Sequence, residues 1–118
     1  MSPVRVLIVD DHDGFLAAAT ALLTSFGFEV VGSAADGEST VDAVLTHHPD
    51  LVLVDLQLPG IDGVDVAYHL DALDPAPQVI LVSSRDDAGE EPRVVSAPVL
   101  GFIAKRHLGA DAIAALRA

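Results

Sequence analysis

The 118-residue sequence contains no cysteine and no tryptophan. Without cysteine the chain can form no disulfide, no thiolate metal site and no cysteine nucleophile, which fits a reducing compartment. Basic residues are scarce as well, because six lysines and arginines stand against 18 aspartates and glutamates, a formal net charge of −12. Since such a surface repels phosphate backbones and anionic headgroups, we expect no direct binding of nucleic acid or membrane by this segment.

Long apolar runs are also missing. No run approaches the roughly 18–20 residues that a membrane span requires. Only four consecutive aliphatic residues precede Asp10, too few for the core of a signal peptide. Hydrophobic residues nevertheless make up 51% of the chain, enough for a buried core. The length then indicates one domain over residues 1–118, and we expect a soluble cytoplasmic protein.

Five short runs rich in valine and isoleucine predict β-strands. Four of them are almost continuously apolar, the pattern of strands that are covered on both faces in a parallel sheet. The second run carries Glu29 and is expected to form a peripheral strand. The runs cover residues 4–9, 28–32, 51–54, 79–82 and 99–103.

Segments with helical spacing of apolar residues separate these runs. Gly27 ends the first segment, and Asp36 is placed to cap the second, which Pro49 follows. The third helix is expected over residues 62–73 and the last over residues 109–117. The residues expected to face the core are Phe15, Leu16, Ala19, Leu22, Leu23 and Phe26 in the first helix, Val41, Val44 and Leu45 in the second, Val66, Leu70 and Leu73 in the third, and Ala112, Ile113 and Leu116 in the last.

The segment between the fourth and fifth runs is a weak helix candidate. It contains Gly89, Pro92 and Pro98, so a helix there should be short, near residues 91–96. Five alternating strand and helix units predict an α/β fold, a doubly wound five-stranded parallel sheet with helices on both faces.

Polar side chains follow four of the five predicted strands. Asp10 and Asp11 follow the first strand, Asp55 the third, Ser83 the fourth and Lys105 the fifth. In an open parallel sheet the functional crevice lies at the carboxyl ends of the strands. We therefore expect three carboxylates, a hydroxyl and an amine to converge at one edge of the sheet.

Clustered carboxylates predict a bound cation. Two carboxylates about 4 Å apart repel each other by roughly 4 kcal/mol at an effective dielectric of 20, and carboxylate oxygens are natural ligands of Mg²⁺. Each residue also has an ordinary structural explanation. Asp10 and Asp11 could cap the first helix, Ser83 could bond a local backbone group, and a charge at a strand end commonly begins a solvated loop. The joint pattern favours a binding site.

Six short segments, in order and at fixed intervals, carry a family resemblance. They are residues 8–12 (IVDDH), 53–56 (LVDL), 58–60 (LPG), 62–63 (DG), 82–84 (VSS) and 101–105 (GFIAK). Across its whole length the sequence resembles the receiver domain of bacterial two-component response regulators. The histidine after the acid pair, and the lack of a proline after Lys105, are most similar to receivers of LuxR-type regulators.

The resemblance implies a flavodoxin-like sheet of strand order 2-1-3-4-5 and a phosphoacceptor at Asp55. A sensor histidine kinase would be the partner that supplies the phosphoryl group. Asp11 and Asp55 would bind Mg²⁺ or Mn²⁺ directly together with the backbone carbonyl of Gln57, while Asp10 would act largely through a bound water. Lys105 would neutralise one phosphoryl oxygen.

The resemblance also implies a switch. Ser83 would bind a second phosphoryl oxygen, and Phe102 would turn inward, which alters the face made by helix 4, strand 5 and helix 5. The output would be transcription, controlled through a DNA-binding domain outside this segment, with a possible homodimer on phosphorylation. Pro59, Gly60 and Gly63 would shape the loop after the acceptor, since glycine is free to take a positive φ.

Other interpretations remain open at this point. Phe102 could be a core residue only. The chain could be a receiver-like adaptor that signals without phosphate. The intact site residues count against this alternative, and the irregular fourth segment keeps it open. It could also be a phosphatase of the haloacid-dehalogenase kind, since Asp11 and Asp13 form an Asp-x-Asp motif, although no segment is long enough to cover a substrate. On the main interpretation the chain assists its own phosphorylation and dephosphorylation and is not a turnover enzyme.

Overall fold

Strands and helices alternate along the chain, as the sequence predicts. The computed structural model describes residues 2–118. The strands are β1 (Arg5–Val9), β2 (Glu29–Ala34), β3 (Leu51–Asp55), β4 (Gln78–Ser83) and β5 (Gly101–Ala104). The helices are α1 (Asp13–Ser25), α2 (Thr40–His47), α3 (Gly63–Asp71), α4 (Pro92–Val95) and α5 (Ala110–Arg117). Short 3₁₀ turns cover Asp86–Glu90 and Lys105–His107. Within the described residues, no helix has the length and apolar character needed to span a membrane.

The five strands form one parallel sheet in the order β2-β1-β3-β4-β5. This order confirms the predicted flavodoxin-like topology and places the strand with Glu29 at an edge. The register pairs Val9 of β1 with Val54 of β3, and Ser83 of β4 with Ala104 of β5. The residues that follow these pairs therefore lie side by side at the carboxyl edge of the sheet.

Helices cover both faces of the sheet, which explains the continuously apolar strands. In β3, Leu51 and Leu53 pack into the layer with α1 and α5, whereas Val52 and Val54 pack into the layer with α2, α3 and α4. Successive side chains of a strand point to opposite faces, so a strand buried on both sides needs an apolar residue at every position. All five residues of β3 are buried.

Three expectations about the first two helices are wrong. Leu45 is 55% exposed because α2 turns Thr40 and Val44 toward the core, and Phe26, which lies just past the end of α1, is 47% exposed. Asp36 does not cap α2, whose N-cap position is occupied by Ser39. Instead the Asp36 carboxylate accepts hydrogen bonds from the Ser39 amide (2.8 Å) and hydroxyl (2.7 Å), which closes a turn before the helix.

The fourth connection is irregular, as its glycine and prolines predict. A 3₁₀ turn over Asp86–Glu90 precedes the single turn of α4, which has Pro92 at its start. Two strand boundaries differ from prediction by two residues, since β2 continues to Ala34 and β5 begins only at Gly101. The amide of Val99 bonds to the carbonyl of Ala97 (2.8 Å), so this part of the fifth run belongs to a turn.

Candidate functional site

Asp10, Asp11 and Asp55 form an acid cluster at the carboxyl edge of the sheet. Each offers one carboxylate oxygen, and these oxygens lie within 4.8 Å of one another. Asp10 is fully buried, Asp55 is 5% exposed, and Asp11 is exposed. The cluster forms because β1 and β3 are hydrogen-bonded neighbours, so their ends meet. The structure thus brings together the three carboxylates that the sequence analysis selects.

Lys105 supplies the cation closest to the cluster. Its Nζ lies 2.6 Å from Oδ2 of Asp10 and 3.5 Å from Oδ2 of Asp55. The same ammonium lies 4.3 Å from the centroid of the Phe15 ring, and the lysine side chain is 17% exposed. One positive charge therefore faces three carboxylates, and the cluster keeps an excess of negative charge.

Backbone amides orient two of the carboxylates. Oδ1 of Asp10 accepts a hydrogen bond from the His12 amide (2.8 Å), and Oδ1 of Asp55 accepts one from the Gln57 amide (3.3 Å). Oδ2 of Asp10 is buried and accepts no hydrogen bond, although the Lys105 ammonium is in ion-pair contact with it. Burial of a charged oxygen is costly, so the Lys105 ammonium at 2.6 Å is what compensates this atom.

Neither aspartate of the acid pair caps α1, which contradicts the capping alternative. His12 occupies the N-cap position, and its Nδ1 accepts a hydrogen bond from the Phe15 amide (3.1 Å). Because the imidazole satisfies the helix terminus, Asp10 and Asp11 remain free for the site. This local arrangement also fixes the first turn of α1 at the rim of the acid pocket.

The surroundings of Asp55 raise the pKa of its carboxyl. Burial is the main cause, and the negative charge of Asp10 adds to it. The charge of Lys105 and the hydrogen bond from the Gln57 amide lower the pKa of Asp55, but they do not cancel the rise. The cluster is therefore short of positive charge when it is fully ionised.

The donor set suits a hard divalent cation. Three carboxylates converge, and one buried oxygen among them lacks a hydrogen bond. Oxygen ligands of this kind favour Mg²⁺, Ca²⁺ or Mn²⁺ over softer metals. Asp10, Asp11 and Asp55 could therefore hold such an ion. Gln57, whose backbone carbonyl is the fourth predicted ligand, lines the same pocket as Asp11 and Asp55.

The structure separates the two serines at the end of β4. Ser84 lines the acid pocket together with Asp55 and Lys105. Ser83 is buried, its Oγ accepts a hydrogen bond from the Arg85 amide (3.0 Å), and it lines a neighbouring pocket. The end of the fourth predicted strand indicated only Ser83. A second hydroxyl directly after it was the available signal for Ser84.

The loop after Asp55 uses glycine where the backbone requires it. Gly60 has a φ of 76°, in the left-handed region that favours glycine. Gly63 donates its amide to the Leu56 carbonyl (3.0 Å), and a Cβ at this position would collide with the Asp55 carbonyl oxygen. Pro59 is exposed beside them. The loop thus folds tightly back beneath the acid cluster.

Asp62 caps α3 and also connects the start of that helix to α4. Its Oδ1 accepts hydrogen bonds from the Val64 (3.0 Å) and Asp65 (3.1 Å) amides and so caps α3. Its Oδ2 pairs with the Arg93 guanidinium at 2.6 Å, which ties α4 to the start of α3. Burial opposes ionisation, but the bonds from Asp65 and Arg93 hold the pKa of Asp62 below its usual value. The sequence pattern gives no signal for the role of Arg93.

Phe102 lies half-buried on the sheet face that is covered by α2, α3 and α4. Its ring fits against Gly89 in the 3₁₀ turn, where a Cβ would approach its Cδ2 to 2.5 Å. The irregular fourth connection therefore makes the space that this ring occupies. Ala88 and Val94 belong to the same packed layer.

Comparison with known proteins identifies relatives of the whole chain. The family model of the response regulator receiver domain matches residues 6–117. The chain is 34% identical over 115 residues to the transcriptional regulatory protein PdtaR of Mycobacterium tuberculosis, a match that covers 97% of this chain and 55% of that protein. The chain spans about half the length of several curated relatives that it matches.

Solved structures share the fold. A two-component response regulator of the LuxR family from Aurantimonas sp. SI85-9A1 has a TM-score of 0.85 at 26% identity, and the match covers 98% of this chain and 84% of that one. A chain of the CheX-CheY-BeF3-Mg²⁺ complex from Borrelia burgdorferi has a TM-score of 0.78 at 28% identity, with 98% and 85% covered. The predicted likeness to LuxR-type regulators is confirmed. The chain belongs to the response regulator receiver domain family of two-component systems.

Proposed function

We propose that this receiver domain accepts a phosphoryl group on Asp55 from the phosphohistidine of a sensor histidine kinase. One observation carries the proposal: Oδ2 of Asp55 lies 3.5 Å from the Lys105 ammonium inside a cluster of three carboxylates. This arrangement puts a nucleophilic oxygen beside a cation that can neutralise an incoming phosphoryl group. Asp55 also opens onto a pocket, whereas Asp10 is fully buried.

The transfer is an in-line displacement at phosphorus. A carboxylate oxygen of Asp55 forms the new O–P bond while the N–P bond of the donor imidazole breaks and the imidazole keeps the electron pair. The acceptor is a weak nucleophile, so positioning and charge neutralisation supply most of the catalysis. Lys105 neutralises one phosphoryl oxygen. The hydroxyls of Ser83 and Ser84, at the end of β4, are candidate donors to another.

A divalent cation completes the proposed site. Asp10, Asp11 and Asp55, with the backbone carbonyl of Gln57, would hold Mg²⁺ or Mn²⁺, with Asp10 acting largely through a bound water. When bound, the ion supplies the positive charge that three carboxylates and a phosphoryl group together require. The similarity to a chain of a complex that contains BeF3 and Mg²⁺ supports this assignment. The excess of acid over the single lysine supports it independently.

The proposed signalling output is a change in one face of the domain. We infer that phosphorylation draws the Ser83 hydroxyl toward the phosphoryl group and moves Phe102 further inward, which alters the face made by α4, β5 and α5. A differential stabilisation of roughly 2–3 kcal/mol converts a minor state of a few per cent into the major one. The DNA-binding transcriptional activator EvgA of Escherichia coli is among the relatives and supports an output through a DNA-binding domain outside this segment. A homodimer formed on phosphorylation stays a prediction.

Intact-mass spectrometry tests the acceptor. Incubation of the protein with acetyl phosphate and Mg²⁺ should add one HPO₃ to the wild type. The addition should be absent after EDTA treatment and absent in Asp55→Asn. Asp13→Asn, which removes an exposed aspartate from the nearby start of α1, is the matched control and should behave as the wild type.

The same assay separates the rival functions. A wild-type protein that gains no mass would favour a receiver-like adaptor that signals without phosphate. Repeated turnover on a simple phosphomonoester would favour a phosphatase of the haloacid-dehalogenase kind. A mass gain that persists in Asp55→Asn would place the acceptor at another residue.

A further inference from the structure

We propose that Phe15 is a positioning residue for phosphoryl transfer, because its ring holds the Lys105 ammonium beside Asp55. This inference rests on the proposed function and adds a residue to it. The Lys105 ammonium lies 4.3 Å from the centroid of the ring. At this distance the electron-rich face of an aromatic ring attracts a cation.

The surroundings of Lys105 explain why a neutral partner matters. The nearest partner of its ammonium is Oδ2 of Asp10, at 2.6 Å, and Asp10 is also a candidate metal ligand. A divalent cation among the carboxylates would compete for this aspartate and repel the ammonium. The Phe15 ring carries no charge and binds no metal, so its attraction for Lys105 persists when the cluster is occupied.

The backbone fixes the ring at the rim of the pocket. Phe15 lies in the first turn of α1, and its amide donates to Nδ1 of His12, the N-cap residue. Its half-buried side chain packs at the margin of the core layer formed with α1 and α5, and it lines the acid pocket with Lys105 and Asp55. A leucine here would keep the apolar packing but would lack the electron-rich face.

Side-chain NMR of Lys105 tests the contact directly. In the wild type, ring current should shift the Cε protons of Lys105 upfield, and the shift should remain when Mg²⁺ is added. Phe15→Leu should abolish the shift, and Phe15→Tyr should restore it. Loss of the wild-type shift on addition of Mg²⁺ would show that the ring does not hold the ammonium in the occupied site, and would overturn the proposal.

The rate of phosphorylation by acetyl phosphate tests the consequence. Phe15→Leu should lower this rate roughly three- to tenfold, the range that cation–π attraction supports, and Phe15→Tyr should recover it. Phe26→Leu is the matched control, since Phe26 lies at the other end of α1 and is largely exposed. It should change neither the rate nor the Lys105 shift. A thermal unfolding scan of each variant establishes that it is folded.

The outcomes separate this inference from the proposed function. A wild-type protein that acquires no phosphoryl group contradicts the function of the site, and the role of Phe15 falls with it. A wild type that is phosphorylated no faster than Phe15→Leu contradicts only the role of Phe15. A slow Phe15→Leu that Phe15→Tyr does not recover also overturns it, because the effect would then come from packing.

Discussion

The Lys105 ammonium contacts Oδ2 of Asp10 at 2.6 Å, at an oxygen that is buried and accepts no hydrogen bond. Its distance to the proposed acceptor, Asp55, is longer at 3.5 Å. In this arrangement the lysine therefore compensates mainly the most buried carboxylate of the cluster. A cation that binds the carboxylates would take over this compensation and leave the lysine for the phosphoryl group.

Replacement of the lysine should make the protein dependent on Mg²⁺ for stability. Lys105→Ala leaves three carboxylates without their nearest cation, and we expect it to lower the free energy of unfolding by about 3 kcal/mol without metal. The loss should be largely recovered at saturating Mg²⁺, because the ion binds the native state preferentially. Thermal unfolding with EDTA measures the loss of stability, and thermal unfolding with Mg²⁺ measures its recovery.

Asp11→Ala supplies the comparison for that experiment. It removes one of the three acid-cluster oxygens, so Mg²⁺ should no longer raise its melting temperature. If Mg²⁺ stabilised wild type and Asp11→Ala equally, the ion would be bound elsewhere on this acidic chain.

Neutralisation of the acceptor should stabilise the metal-free fold. Burial and Asp10 raise the pKa of Asp55, so its ionisation at neutral pH costs folding free energy. Asp55→Asn should therefore raise the melting temperature, because it removes a buried charge that the single lysine does not balance. Asp71→Asn, which removes an exposed charge from the end of α3, should change it much less.

The difference in stability between wild type and Asp55→Asn should grow as the pH rises. Since the folded pKa of Asp55 lies above its ordinary value of 3.8, the wild type loses stability relative to Asp55→Asn as the pH rises from 3.8 through the folded pKa. The difference should be largest at neutral pH and small below pH 3.8. A variant that gains most in acid would contradict the direction of the shift.

Ionisation of Asp62 should stabilise the fold, which is the opposite of the effect expected at Asp55. Its folded pKa lies below its ordinary value, so the stability that it contributes is present above pH 3.8 and is lost as the pH falls through the folded pKa. Asp62→Ala removes the cap of α3 and should cost about 1 kcal/mol at neutral pH. Asp62→Asn keeps a capping oxygen and loses only the exposed pair with Arg93, so it should cost about 0.5 kcal/mol or less.

Urea unfolding of the three Asp62 proteins at several pH values measures these costs. The gap between wild type and Asp62→Asn should close in acid. A gap that stays constant across pH would mean that the ion pair with Arg93 contributes nothing.

Gly89 should control the packing of Phe102. A methyl group at Gly89 would approach the ring to 2.5 Å, so Gly89→Ala should destabilise the protein by roughly 1–3 kcal/mol, the cost of overpacking. In a Phe102→Ala background the same substitution should cost far less, since the ring is gone. A double-mutant cycle by urea unfolding measures this coupling. Equal costs in both backgrounds would mean that the ring does not occupy the space beside Gly89.

The sequence predicts the sheet and the acid cluster well, for one physical reason. Strands buried on both faces need an apolar residue at every position, so β1, β3 and β4 are visible as unbroken runs, and their carboxyl ends must meet. The positions of Asp10, Asp11 and Asp55 follow from the ends of those runs alone. This reasoning needs no knowledge of side-chain conformations.

Details that depend on three-dimensional packing were not predictable in this way. Phe15 has the spacing of an ordinary core residue, and its contact with Lys105 depends on how the first turn of α1 packs beside the end of β5. Leu45 fits the periodicity of α2, yet the helix buries Thr40 and Val44 and leaves Leu45 exposed. Which of Ser83 and Ser84 faces the acid pocket depends on how the chain leaves β4, and the run of apolar residues does not specify this.

Borohydride reduction followed by peptide mapping tests the central claim most directly. An acyl phosphate on an aspartate is reduced to homoserine, whereas an unmodified carboxylate is not. After treatment with acetyl phosphate and Mg²⁺, we predict homoserine at position 55 and at no other aspartate. Homoserine at position 10, 11 or 13 with none at position 55, or no homoserine in protein that has gained HPO₃, would contradict the account.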